Sequence, residues 1–193
     1  RVMNTWLQRA LETAFSASFV KSSARILLSL LKSNLNQVPA MKKTIGILGG
    51  MGPLATADLF KCIVLLTKAA SDNEHIPILV DNNTAIPDRT SAILYGGANP
   101  RPELIKSAKR LEAMGAELIV MPCNTAHYFY DDVARTVKIP FLNMINETVS
   151  EAKRMGLTTV GLLSTSGTSK SLVYDKAFKA QGIEVIKPSD AEQ

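Results

Sequence analysis

The 193-residue chain is poor in the residues that staple small folds or build metal modules. It has two cysteines, Cys62 and Cys123, and two histidines, His75 and His127. Two cysteines cannot form the disulfide framework of a secreted domain. So few soft ligands exclude a multi-zinc module, and no metal site is expected. The apolar run Ile26-Leu27-Leu28-Ser29-Leu30-Leu31 is six residues long, between Arg25 and Lys32. A bilayer span needs about twenty, so no membrane partner is expected. The net charge of +5 is unevenly placed. Residues 1–40 hold five basic residues and one acid, whereas 41–193 hold seventeen basic and sixteen acidic residues. A body so near neutrality has no electrostatic footprint for nucleic acid. What the chain does have is apolar material, 46% of its residues, ample for a packed core.

Residues 1–40 differ in kind from the rest. They hold six serines and the single acid Glu12, with Leu7, Leu11, Phe15 and Phe19 spaced by four as on one helix face. This is the composition of a mitochondrial or plastid transit peptide. The competing reading is an untranslated-region or gene-model artefact ahead of an ordinary start at Met41-Lys42-Lys43. The expected location is cytoplasmic, or mitochondrial or plastid if the segment is a true leader. In either case fold reasoning begins at Met41.

From there strands and helices alternate. Strands are expected over 44–48, 76–80, 117–121, 141–144, 159–163 and 183–186. Helices are expected over 54–68, 103–114, 125–137, 147–155 and 170–180, with a loop from 87 to 102. Gly115 and Gly156 read as helix stops. Near-continuous apolar strands alternating with helices predict an α/β fold with a mostly parallel sheet flanked by helices. Ligands of such folds sit at the carboxyl ends of the strands. That directs attention to 49–53, 81–89, 122–127 and 164–168. An internal repeat is also visible: Thr44-Ile45-Gly46-Ile47-Leu48-Gly49-Gly50-Met51-Gly52 aligns without gaps on Thr159-Val160-Gly161-Leu162-Leu163-Ser164-Thr165-Ser166-Gly167. The expected division is an atypical extension over 1–40, a first lobe over 41–157 and the opening of a second over 158–193, which breaks off at Gln193.

Cys123 is the strongest candidate for chemistry. It follows Leu118-Ile119-Val120-Met121-Pro122 at a strand tip and precedes Asn124-Thr125 at the expected helix start. Unpaired N–H groups there would stabilise a thiolate and lower its pKa from about 8.5. Cys62, mid-helix among apolar residues, reads as structural. His127 stands four residues after Cys123. The pair leaves three readings: part of a zinc site, a thiol–imidazole hydrolase dyad, or an acid–base cysteine whose site His127 tunes. Gly49-Gly50-Met51-Gly52 lacks both nucleotide-binding signatures and reads as close backbone approach to a small anion. Arg89, in the loop beyond the second strand, could hold a carboxylate through two parallel hydrogen bonds.

Together Ile45-Gly46-Ile47-Leu48-Gly49-Gly50-Met51-Gly52-Pro53, Ile86-Pro87-Asp88-Arg89-Thr90 and Ile119-Val120-Met121-Pro122-Cys123-Asn124-Thr125-Ala126-His127 resemble the aspartate/glutamate racemase superfamily, most closely its aspartate racemase branch. The resemblance runs from Met41 to Gln193. It implies a two-lobe pseudo-symmetric fold and a homodimer that racemises a small dicarboxylic amino acid, L- and D-aspartate, without pyridoxal phosphate or any other cofactor. One thiolate takes the α-proton and a second thiol delivers a proton to the opposite face. Cys123 matches the first-lobe cysteine. Asn124, Thr125 and Ala126 match the segment that holds the substrate carboxylate, Arg89 matches the arginine that reads an acid group, and Met51 matches a cleft-lining methionine. The repeat places the second cysteine near position ~238, past Gln193, so the chain as given is expected to racemise poorly. Alternatives are a glutamate or broad-range racemase, a decarboxylase of the same fold, and a non-catalytic dicarboxylate-binding paralogue.

Overall fold

Strand β1 (Ile45–Gly49) is buried along its whole length, and the molecule is built outward from it. In the computed structural model, which describes residues 43–189, β1 lies in the middle of a parallel three-stranded sheet of order β2-β1-β3. Its neighbours are β2 (Ile78–Asn82) and β3 (Leu118–Val120), and the register pairs Gly49 with Asn82 and Ile47 with Val120. The carboxyl ends of all three strands therefore share one edge. The segment read as a leader lies outside the described residues.

Alternation along β1 sends side chains to both faces. Ile45 and Ile47 pack with Val120 against Leu59, Cys62 and Ile63 of helix α1 (Pro53–Leu66). Pro53 opens that helix, where its missing N–H costs no hydrogen bond. On the other face Leu48 and Ile119 meet the stripe Leu104, Ala108 and Leu111 of helix α3 (Arg101–Ala113). Gly46 makes this packing close: a Cβ there would lie 2.9 Å from that of Ala116. Gly115 and Gly156, at φ +95° and +72°, end α3 and a later helix as expected.

The expected loop from 87 to 102 contains a short helix, α2 (Arg89–Leu94), capped by Asp88, whose carboxylate accepts from the Ser91 N–H at 2.6 Å. The single helix expected over 125–137 is instead a 3-10 segment, Thr125–Phe129, followed by the five-residue α4 (Tyr130–Ala134). The strand expected at 141–144 shrinks to one bridge between Ile119 and Phe141, because Asn143 caps helix α5 (Met144–Arg154) by accepting from the N–H groups of Ile145 and Asn146. Capping therefore wins over strand extension at this point.

A second parallel pair follows, β4 (Thr159–Gly161) with β5 (Glu184–Ile186). The helix expected over 170–180 is two helices, α6 (Ser166–Ser171) and α7 (Val173–Lys179), separated by Leu172 at φ +57°. Ile145, Val149 and Ala152 of α5 pack with Tyr174, Phe178 and Ile183 into a core separate from those around β1. The fold is α/β, with parallel strands flanked by helices. Among the described residues no helix is long and apolar enough to cross a membrane.

Candidate active site

The carboxyl edge of the first sheet faces the start of α6, with a cavity of about 520 Å³ between them. Met51, Cys123, Asn124 and Thr125 line it from the first sheet, and Thr165, Thr168 and Tyr174 from beyond β4. Thr148 and Glu151 of α5, with Val160, Leu162 and Phe178, contribute further to its wall. Arg89 and Ala126 do not line the cavity; the Arg89 guanidinium and the Ala126 N–H lie against the Cys123 thiol.

Cys123 sits at the end of a tight turn in which its N–H donates to the Met121 carbonyl at 2.9 Å. It is buried, with 8% of its surface exposed. Burial is the largest influence on its thiol and raises its pKa above the ordinary thiol value. The backbone N–H groups of Ala126 and Thr125 and the Arg89 guanidinium oppose that shift without reversing it. The lowered pKa expected from a helix start is thus corrected. The segment after Cys123 is a 3-10 turn, whose N–H groups do reach the sulfur, and desolvation outweighs them. The Ala126 N–H is directed at the thiol and its side chain is fully buried, so its contribution is to the sulfur.

Arg89 is held by its own loop. Its Nη1 donates to the carbonyls of Pro87 at 3.0 Å and Ile86 at 3.3 Å. Its Nε is buried and has no partner. A guanidinium N–H left open beside a thiol is a donor awaiting an acceptor.

His127 does not face the sulfur. Its Nδ1–H donates to the Cys123 carbonyl at 2.8 Å, and its Nε2 accepts from the Met144 N–H at 3.1 Å. Both ring nitrogens are thereby committed, and the ring stacks on Tyr130 at 5.9 Å. Burial pushes its pKa down to about 4, so it is neutral at pH 7. That removes the thiol–imidazole dyad, which needs an imidazole nitrogen on the nucleophile. Histidine here ties the backbone of Cys123 to the first turn of α5. Among the described residues no group of three or more His, Cys, Asp or Glu side chains could hold a metal.

The glycine loop also differs from its expected role. The Gly50 N–H donates to Thr56 Oγ1 at 3.0 Å, and Thr56 Oγ1 donates to the Gly52 carbonyl at 3.1 Å. The close approach made by Gly50 is to the backbone of Asn83, 2.3 Å from where its Cβ would stand. The glycines therefore seat the loop on β2 and α1, and the one loop side chain offered to the cavity is Met51.

Across the cavity three hydroxyls form a triangle. Thr125 Oγ1 lies 2.8 Å from Thr168 Oγ1 and 3.1 Å from Thr165 Oγ1, and the last two are 3.2 Å apart. The Tyr174 phenol donates to Asn124 Oδ1 at 2.6 Å. Residues 164–168 were expected at a strand end. Tyr174 and Thr148 were not, since both occupy helical positions that read as core or surface.

An α/β fold that gathers a thiol, a guanidinium and several hydroxyls at the carboxyl ends of parallel strands defines a small-molecule site. A family model described as Asp/Glu/Hydantoin racemase matches residues 48–193, and the chain belongs to that family. It is 29% identical over 152 residues to the broad specificity amino-acid racemase RacX of Bacillus subtilis (strain 168), covering 77% of this chain and 66% of that protein. Picrophilus torridus aspartate racemase is similar in structure, with a TM-score of 0.72 and 35% identity over 77% of this chain and 64% of that one. An aspartate racemase homologue from Pyrococcus horikoshii OT3 gives 0.66 and 30%, over 79% and 66%. The chain spans just under two thirds of the length of these relatives.

Proposed function

We propose that this chain carries the Cys123 side of the active site of a cofactor-independent amino-acid racemase, with aspartate as the substrate. The observation that carries the reading is the surround of Cys123: a thiol at the cavity wall, backed by the Arg89 guanidinium and two backbone N–H groups. In this reading Cys123 exchanges the Cα proton on one face of the substrate. By the resemblance the Arg89 guanidinium, which stands beside the thiol and not in the cavity wall, donates its unpartnered Nε–H to one substrate carboxylate, and Asn124 and Thr125 hold the other, with Met51 closing the side of the cleft. The Ala126 N–H keeps the thiolate in place.

A buried thiol that holds its proton is a strong base once ionised. The substrate's α-ammonium, brought against the sulfur, shifts the thiol towards its thiolate and prepares it for proton abstraction. The same ammonium and the site's hydrogen-bond donors stabilise the carbanion without an electron-sink cofactor. Inversion needs a second single-proton group on the opposite face. Cys62 cannot serve, because it is packed between α1 and the sheet. By the resemblance that group is a thiol of the second lobe, and two copies pair as a homodimer. The broad-range alternative draws support from the similarity to the broad specificity racemase of Bacillus subtilis.

Incubation of the chain with L- and D-aspartate in deuterated water tests the reading. One enantiomer is expected to gain deuterium at Cα with retention of configuration, and Cys123→Ser to abolish the label. Undiminished labelling by Cys123→Ser removes the cysteine from its role. Faster labelling of glutamate than aspartate moves the substrate to the alternative.

A further inference from the structure

We propose that Tyr174 is a positioning residue that fixes which end of the Asn124 carboxamide the substrate meets. The inference rests on the racemase reading above and adds to it a residue from the opposite wall of the cavity. The geometry is specific. The phenol of Tyr174 donates to Asn124 Oδ1 at 2.6 Å, across the boundary between the two packed cores. A carboxamide has one acceptor end and one donor end. With Oδ1 engaged by the phenol, the end left for a ligand is the Nδ2 amino group. A substrate carboxylate is an acceptor only, so the orientation decides whether Asn124 attracts or repels it.

Three features make this a built arrangement. Tyr174 is 3% exposed, and its ring packs on Phe178 at 6.1 Å, so the phenol has a defined position. Burial pushes its pKa far up, so the hydroxyl keeps the proton it donates. The left-handed turn at Leu172 breaks the helix two residues before Tyr174, and α7 restarts at Val173 with Tyr174 buried in its first turn. Without the phenol the carboxamide is free to rotate and present Oδ1 to the carboxylate instead.

The test is a double-mutant cycle on the full chain, read by calorimetric binding of L-aspartate and by the concentration dependence of Cα deuterium exchange. Tyr174→Phe keeps the ring and removes one hydroxyl. It is expected to weaken L-aspartate binding about tenfold, with the loss falling on half-saturation and not on the saturated exchange rate. In an Asn124→Ala background the same change is expected to have no further effect, because the group it orients is gone. A purely structural role would give the same loss in both backgrounds, and equal binding by wild type and Tyr174→Phe would leave nothing to position. Either result overturns the proposal. A measurement on the wild type covers the case in which a variant fails to fold. The side-chain amide protons of Asn124 should shift on saturation with L-aspartate, and unmoved resonances in a chain that binds overturn it too. A wild-type chain that neither binds nor exchanges aspartate defeats the racemase reading itself, which is a distinguishable outcome.

Discussion

His127 gives the prediction that can be worked furthest, because it needs no substrate. The imidazole donates through Nδ1 to the Cys123 carbonyl and accepts through Nε2 from the Met144 N–H, so it is neutral in the folded chain. Burial lowers its pKa from 6.5 to about 4. In the unfolded chain it takes up a proton near pH 6.5 and in the folded chain only near pH 4, so acid favours unfolding. Its contribution is fully present above pH 6.5, declines as pH falls through the window, and is lost below about 4. A shift of this size corresponds to about 3 kcal/mol, a substantial share of the 5–15 kcal/mol typical of a domain.

The assay is urea unfolding followed by far-ultraviolet circular dichroism from pH 8 to pH 4, for the wild type and His127→Gln. At pH 7.5 the variant should be less stable by about 2–4 kcal/mol, because two buried backbone groups lose well-placed partners. Carboxylates titrate in the lower part of the same window, so the difference between the curves is the relevant quantity. That difference should shrink as pH falls and nearly vanish at pH 4. Parallel curves would refute the reasoning. So would a His127 ring proton that titrates near 6.5 in the folded chain, which is easily followed because the sequence has only two histidines.

Three further substitutions test the geometry around the cavity. Gly50→Ala places a Cβ 2.3 Å from the Asn83 carbonyl oxygen at φ +93°, and should cost about 2–5 kcal/mol in thermal or urea unfolding; a loss under 1 kcal/mol would show that the loop moves freely. Leu172→Gly should be neutral or stabilising by about 0.5 kcal/mol, since a 45%-exposed side chain gives up little burial and the left-handed strain is relieved; destabilisation beyond 1 kcal/mol contradicts this. Gly167→Ala would bring a Cβ to 2.4 Å from Thr90 Oγ1 and 2.9 Å from Thr125 Cγ2. It should cost about 1–3 kcal/mol and weaken aspartate binding by displacing Thr125, whereas unchanged binding would separate Thr125 from the ligand.

The order of elements was legible because the strands are nearly continuous apolar runs and the helices carry stop glycines. The parallel sheet followed from that alternation. The misjudged elements are those where a short-range device overrides the pattern. Asp88 caps a six-residue helix inside a stretch punctuated by Pro87, Pro100 and Pro102, and Asn143 turns the otherwise apolar stretch 141–144 into a helix start. Leu172 takes a left-handed conformation for which its residue type gives no cue. At the site, motif position brought Met51, Cys123, Asn124 and Thr125 to one cavity. It could not reveal the direction of the Cys123 shift, since desolvation depends on chain segments far apart in sequence. Tyr174 escaped notice because spacing by four from Phe178 reads as helix core, and its hydroxyl partner lies fifty residues away.

The contacts that join the two packed cores are of a different kind from those within them. Inside each core the contacts are apolar and buried, between β1 and its helices on one side and between α5 and α7 on the other. Across the cavity they include the threonine triangle, the Tyr174–Asn124 hydrogen bond and the close seat of Gly167 on Thr90 and Thr125. Apolar packing tolerates small sliding movements at little cost, whereas hydrogen bonds fix distance and angle within narrow limits. Under the proposed function, a site that addresses the two faces of one carbon needs angular definition between its walls more than it needs additional burial. The polar joint supplies that definition where it is needed, at Asn124 and Thr125, immediately after Cys123. Single hydroxyl deletions at Thr125, Thr165, Thr168 or Tyr174 should accordingly alter ligand geometry before they unfold either core.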